Sequence, residues 1–213
     1  LRWFRDNVGS AESIQAFIKK QEWIEVDPYD LMTEQAAKSP VGANGLILIP
    51  HLIGAGAPYW NADARGVLFG LALGHTTKDL YRAVMEGVAL EVRKNIDVFK
   101  SLGLSPKDLR ITGGGSRSSL WNQIMADVLG IPCSRGDLEE STAVGAATLA
   151  SFGAGEYTDI SVAADNMAKL NNIWQPNSNK HEKYNKLYEI SKEVYNSLED
   201  KKLYKKLAEF ASN

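Results

Sequence analysis

Residues 109 to 130 constrain the fold more than any other stretch, because a short apolar run, three consecutive glycines and an amphipathic helical pattern follow one another without interruption. Leu109-Arg110-Ile111-Thr112 has the length and composition of a strand. Gly113-Gly114-Gly115-Ser116 follows as a turn, and from Ser118 to Leu129 the residues Leu120, Trp121, Ile124, Met125, Val128 and Leu129 recur on one helical face, with Gly130 as the stop. A strand that feeds a helix through a tight turn is a unit of a layered α/β protein. Glycines in that turn let the backbone approach a ligand with no Cβ in the way, and the helix N-terminus offers free N–H groups to an anion. Taken alone, the same glycines also suit a tight turn that packs its strand closely on its helix.

The rest of the chain extends this alternation. Gly45-Leu46-Ile47-Leu48-Ile49-Pro50 is a continuous apolar run between Gly and Pro, as a buried strand would be, and the Gly-, Ala- and Pro-rich residues 51 to 66 lead to a second strand from Val67 to Leu73. Leu80, Val84, Val88, Val92, Ile96 and Phe99 predict a long amphipathic helix over Thr77 to Leu102. A strand from Ile131 to Arg135 and a small-residue helix around Thr142 to Ala150 complete the α/β core. Residues 10 to 40 read as short helical patterns with polar connections, Trp23 to Asp30 forming a turn into a helix, and suggest no chemistry. After Tyr157 the sequence turns polar. From His181 to Phe210 it is charge-laced, with Tyr184, Leu187, Tyr188, Val194, Tyr195 and Leu198 as a partial apolar stripe. Residues 1–160 are therefore expected to form the domain core, and 161–213 its peripheral helices and tail. Leu1 to Asn7 reads as helical with no N-cap ahead of it, so the chain is expected to begin inside an element.

The composition narrows the partners. With 213 residues, 44% of them hydrophobic, the chain can bury a core, and a net charge of −2 spread along the sequence supplies no pull toward nucleic acid or an anionic membrane. Cys133 is the only cysteine and no apolar run approaches the roughly 20 residues of a membrane span, so a cytoplasmic protein is expected. His51, His75 and His181 lack metal-ligand spacing and are expected in loops or at the surface. Glu139 and Glu140 suit the start of a helix, Glu86 and Arg82 an ion pair on a helix surface, and Arg65 either a phosphate contact or a turn stabilised by Asp63. No nucleophile with a base and no pair of carboxylates stands out. Gly113 to Ser118 also imitates part of a dinucleotide fingerprint, with Asp137 as the ribose carboxylate, although Ser118 occupies the position where a third Gly or Ala belongs.

Several blocks in order carry a family resemblance. Residues 45–50, Gly56-Ala57-Pro58-Tyr59-Trp60-Asn61, Ala64-Arg65-Gly66, Gly66-Val67-Leu68-Phe69-Gly70-Leu71, Asp79 to Glu86, Thr112 to Ser118 and Glu140 to Ala147 together resemble the C-terminal domain of the FGGY carbohydrate kinases, from about the first residue to about Tyr157. The resemblance implies one half of an actin- and hexokinase-like pair of ribonuclease H-like domains, an α/β mixed sheet with flanking helices, with ATP in the cleft between the halves. It implies that Gly113, Gly114 and Gly115 carry the adenosine end of ATP, that Ser118 lies near the adenine and that Arg2 sits on a helix facing the phosphates. The catalytic Asp, the carboxylate associated with Mg2+, the sugar pocket and the hairpins that grip the phosphates would belong to the N-terminal domain, so no catalytic residue and no metal ligand is expected here. ATP or ADP, and a sugar held through that other domain, are the implied partners, with a homodimer left open. Many family members carry Glu and Arg where this chain has Ala55 and Gly56. Gly54-Ala55-Gly56-Ala57-Pro58-Tyr59-Trp60 is similar to glycerol kinases, whereas Leu1 to Asp6 and Ser116-Arg117-Ser118 are similar to xylulokinases, so xylulose leads while gluconate, glycerol and related polyols stay open. A stand-alone nucleotide-binding module without catalysis is the alternative.

Overall fold

The computed structural model describes residues 2–8, 27–136 and 141–211. After helix α1 (Arg2–Asn7), helix α2 (Pro28–Ala37) starts where the sequence sets both signals for it: Asp27 accepts the Tyr29 N–H as N-cap and Pro28 stands at the first helical position. Strand β1 (Ile47–Ile49) is buried at all three residues and pairs antiparallel with β2 (Val67–Phe69), Leu48 opposite Leu68. The apolar run extends to Leu73, but the strand stops at Phe69. Gly70 turns at φ +86 against Gly45, and Leu71 and Leu73 are left exposed.

Helix α3 (Thr77–Ser101) opens with a capping box between Thr76 and Asp79 and supplies the spine of the core. Its Tyr81, Met85, Ala89, Leu90 and Ile96 pack with Met32 and Ala36 of α2 and with Ile124, Met125, Val128 and Leu129 of helix α4 (Ser119–Leu129). Gly87 is where α3 meets the Leu48 carbonyl of β1, an approach that any Cβ would block. Helix α4 ends at Gly130, in the left-handed region at φ +68, where a Cβ would also strike the His181 ring.

The second sheet runs in the order β3-β4-β5. Strand β3 (Leu109–Ile111) is parallel to β4 (Cys133–Gly136), and β4 is antiparallel to β5 (Leu170–Trp174), giving the mixed sheet and flanking helices that the resemblance implies. Strand β4 begins two residues later than its apolar pattern, after Pro132, whose carbonyl accepts the Leu109 N–H at 2.9 Å. Helices α5 (Ser141–Gly153) and α6 (Ile160–Met167) pack on each other between β4 and β5. Strand β5 is hidden in the sequence by Asn171 and Asn172.

Helix α7 (Ser178–Asp200) is not peripheral, as its charged sequence suggests, and is followed by α8 (Leu203–Ala211). Tyr184 is fully buried, and Tyr184 and Tyr188 belong to the main core cluster. Each tyrosine buries its ring and satisfies its hydroxyl: Tyr184 donates to Glu86 at 2.8 Å and Tyr188 to Asp97 at 2.7 Å.

Candidate nucleotide site around the glycine turn

Gly113 takes φ +79 and ψ −176, a conformation open to glycine and costly for other residues, and it starts a one-turn 3-10 segment, Gly114–Arg117. Ser118 then caps α4, its Oγ accepting the Trp121 N–H at 3.2 Å. The Ser116 hydroxyl donates to the Gly113 carbonyl at 2.7 Å, and the Asn122 side chain donates to the Ser116 carbonyl at 2.7 Å, so the turn is held from inside. The three glycines serve different ends. A Cβ on Gly115 would lie 2.6 Å from the Trp121 ring, so its small size is a packing requirement. A Cβ on Gly114 would meet nothing within 4 Å, and its φ is not positive, so nothing inside the protein requires glycine there.

The space beside Gly114 is a cavity of about 780 Å³, within the range of small-molecule sites. Its walls are Gly114, Gly115, Arg117, Ser118 and Arg135 together with Asp27, Tyr29, Asp30, Met32 and Thr33 at the start of α2, over Met85 and Trp121. The Thr33 hydroxyl donates to Ser118 Oγ at 3.4 Å and ties the two walls together. Trp121 adds a buried indole N–H with no acceptor among the described residues. A smaller cavity of about 270 Å³, also bordered by Gly114 and Arg117, is lined by Thr112, Gly113, Ser116, Ser141 and Thr142 as well. Gly114 therefore borders both a large cavity with an apolar floor and a small polar one. The first has room for a flat group, and the second has at its wall Ser141 and Thr142, the first residues of α5, where a helix N-terminus favours an anion.

Of the residues expected from sequence, Gly113, Gly114, Gly115 and Ser118 come together at this turn. Arg2 is placed in α1, and its side chain lies outside the described residues, as do Asp137, Glu139 and Glu140. The wall from Asp27 to Thr33 was not foreseen. Its helix start is legible, but its place opposite a turn more than 80 residues away is set by packing on α3. Gly145 lines a third cavity, about 430 Å³, with Ile111, Val144, Leu149 and Met167.

Three polar groups, Arg82, Glu86 and Arg65, sit differently from their sequence expectation, and a fourth, His51, lies in a loop as expected but is buried there. Arg82 and Glu86 are not a surface pair but are buried: Glu86 Oε1 accepts Arg82 Nε at 2.6 Å, the Tyr184 hydroxyl at 2.8 Å and the Gly42 N–H at 3.1 Å. Burial pushes the Glu86 carboxyl up, opposed by the guanidinium and these bonds. His51 is buried too. Burial lowers its pKa while nearby Glu91 opposes, and its imidazole packs on Tyr59 and Tyr195. Arg65 donates to the carbonyls of Ala62 and Ala64, and the turn there is closed by Asn61, whose side chain accepts the N–H of Asp63 and of Ala64. Burial raises the Cys133 thiol to about 12, with the Asp127 charge adding to it, which makes the sulfur unsuited to nucleophilic work. Among the described residues no three His, Cys, Asp or Glu side chains converge as a metal site, and no helix is long and apolar enough to cross a membrane.

Residues 1–154 match the sequence profile of the FGGY family of carbohydrate kinases, C-terminal domain. The xylulose kinase of Staphylococcus epidermidis is 31% identical over 176 residues, 83% of this chain and 36% of that protein. A glycerol kinase of Aromatoleum aromaticum is 36% identical over 161 residues, 75% of this chain and 29% of that protein. The crystal structure of gluconate kinase from Lactobacillus acidophilus superposes with a TM-score of 0.73 at 29% identity, covering 81% of this chain and 35% of that one. The chain thus spans about a third of the length of the relatives it matches.

Proposed function

The chain belongs to the FGGY family of carbohydrate kinases, and on that premise we propose that it is the ATP-binding half of a kinase that transfers the γ-phosphoryl group to a hydroxyl of a small sugar or polyol. The single observation that carries the nucleotide reading is Gly114, a glycine with no internal reason to be one, bordering both a cavity of about 780 Å³ and a polar one of about 270 Å³. In this reading the adenine lies against Met32, Met85 and Trp121, Gly114 lets the nucleotide pass over the backbone, and Thr112, Ser141 and Thr142 face the phosphates.

Phosphoryl transfer asks a protein mainly for alignment and charge stabilisation. This chain would align the nucleotide, with Ser118 beside the base and the N-terminus of α5 favouring negative charge at the phosphates. Magnesium would arrive with the phosphates and neutralise charge on them. The base that accepts the hydroxyl proton and the sugar pocket would lie in the N-terminal domain. Xylulose leads as acceptor, on the likeness of Leu1 to Asp6 and Ser116 to Ser118 to xylulokinases, ahead of gluconate and glycerol. A cytoplasmic setting suits such an enzyme.

A coupled ADP-release assay tests this, with xylulose, gluconate or glycerol, using the 213-residue chain with and without a separately supplied N-terminal half. Turnover is expected only with both. Sugar-dependent turnover by residues 1–213 alone would sink the half-enzyme reading. Nucleotide binding with no turnover in either mixture would leave a binding module.

A further inference from the structure

We infer that the Asp30 carboxylate reads the ribose of the bound nucleotide, accepting its 2′ and 3′ hydroxyls, so that the chain selects ribonucleotides over deoxyribonucleotides. This rests on the nucleotide reading of the same cavity.

Two carboxylates, Asp27 and Asp30, lie among the residues that line the cavity of about 780 Å³. Asp27 is already engaged: its Oδ1 accepts the Tyr29 N–H at 2.9 Å as the cap of α2. Asp30 is exposed in the first turn of that helix, and its side chain makes no hydrogen bond or ion pair among the described residues. Its backbone is fixed, since the Asp30 N–H donates to the Asp27 carbonyl at 2.9 Å. One turn further on, the Thr33 hydroxyl is joined to Ser118 at 3.4 Å, which holds the wall carrying Asp30 at a set distance from the glycine turn. Apolar Met32, Met85 and Trp121 form the floor on which a base can lie. Carboxylate oxygens only accept, and two of them suit two neighbouring hydroxyls that both donate. A ribose attached to a base on that floor presents such a pair; of the two cavity carboxylates, Asp27 has one oxygen committed to its helix cap, whereas both Asp30 oxygens are open to the two hydroxyls.

An aspartate in the first turn of a helix is also favoured by the helix dipole alone. The two roles separate in binding. The full 213-residue chain, as wild type, Asp30→Ala and Asp27→Ala, is titrated with ADP and with 2′-deoxyADP while amide shifts are followed. Wild type is expected to bind ADP about tenfold more tightly than the deoxy form, the size of a charge-assisted hydrogen bond. Asp30→Ala should bind the two nucleotides equally, and more weakly than wild type binds 2′-deoxyADP because the 3′ contact is lost as well, and Asp27→Ala should keep the preference. Equal wild-type affinities, or a preference that survives in Asp30→Ala, overturn the role of Asp30 while leaving the nucleotide site standing. A preference lost in Asp27→Ala and kept in Asp30→Ala overturns it in favour of the other carboxylate. No ADP-induced shifts at all remove both this inference and the reading on which it rests.

Discussion

Gly114 and Gly115 are neighbours of the same type, and the structure gives them opposite sensitivities. On Gly115 a Cβ would sit 2.6 Å from one carbon of the Trp121 ring and 3.1 Å from the next, so the indole would have to retreat by most of an ångström within a packed helix. Overpacking of that kind costs about 1–3 kcal/mol. On Gly114 the same atom meets nothing, and the backbone is not in the left-handed region, so Gly114→Ala should change stability by no more than about 0.5 kcal/mol. Gly113→Ala should cost about 1–3 kcal/mol for a third reason, its φ of +79. Binding should follow the reverse order. A half-site is expected to hold ADP at roughly millimolar affinity, about −4 kcal/mol, and Gly114→Val should weaken it at least about tenfold by filling the space over the turn. Urea midpoints measure the first quantity and ADP-induced amide shifts around Gly113 to Ser118 the second. Gly114→Val binding ADP like wild type would refute the passage of the nucleotide over this residue. A Gly114→Ala variant as unstable as Gly115→Ala would refute the geometric distinction. Ser118 is a less clean probe, because it caps α4, and losing that cap costs about 1 kcal/mol whatever binds.

Tyr184→Phe should lower stability by about 1.5–3 kcal/mol, since it takes an acceptor from buried Arg82 and a donor from buried Glu86, and a urea midpoint equal to wild type would show that the network contributes nothing. Asp79 gives a pH dependence: burial alone would raise its carboxyl, but bonds from Ser39, Thr76 and Asn44 outweigh it and hold the group at about 2. The folded pKa lies below the unfolded value of about 3.9, so this contribution is complete above that value and is lost as pH falls through about 2; Asp79→Asn should flatten the acid limb of the midpoint-versus-pH curve, and an unchanged limb counts against it.

What the sequence determined by itself was local. Asp27-Pro28 starts α2, Gly130 stops α4, the Leu80 to Ile96 stripe makes α3, and the strand, glycine turn and helix of residues 109 to 129 form as their spacing requires, because each depends on propensity, capping and periodicity within a few residues. Ordered blocks along the chain were also enough to show the family resemblance. Tertiary structure decided what distance along the chain conceals. Glu86 and Arg82 read as a surface pair because an i,i+4 spacing says nothing of a tyrosine 98 residues from the glutamate that comes down over both. Tyr184 and Tyr188 read as peripheral because the helix around them is charged, while their rings fill the core and their hydroxyls find Glu86 and Asp97. Asp30 and Thr33 lie in a segment with no chemical signature and come to line the cavity beside the glycine turn only because α2 packs on α3. A side chain's neighbours in sequence set its backbone, but which wall of which cavity it lines depends on helices and strands brought together from across the whole chain, and no local pattern encodes that arrangement.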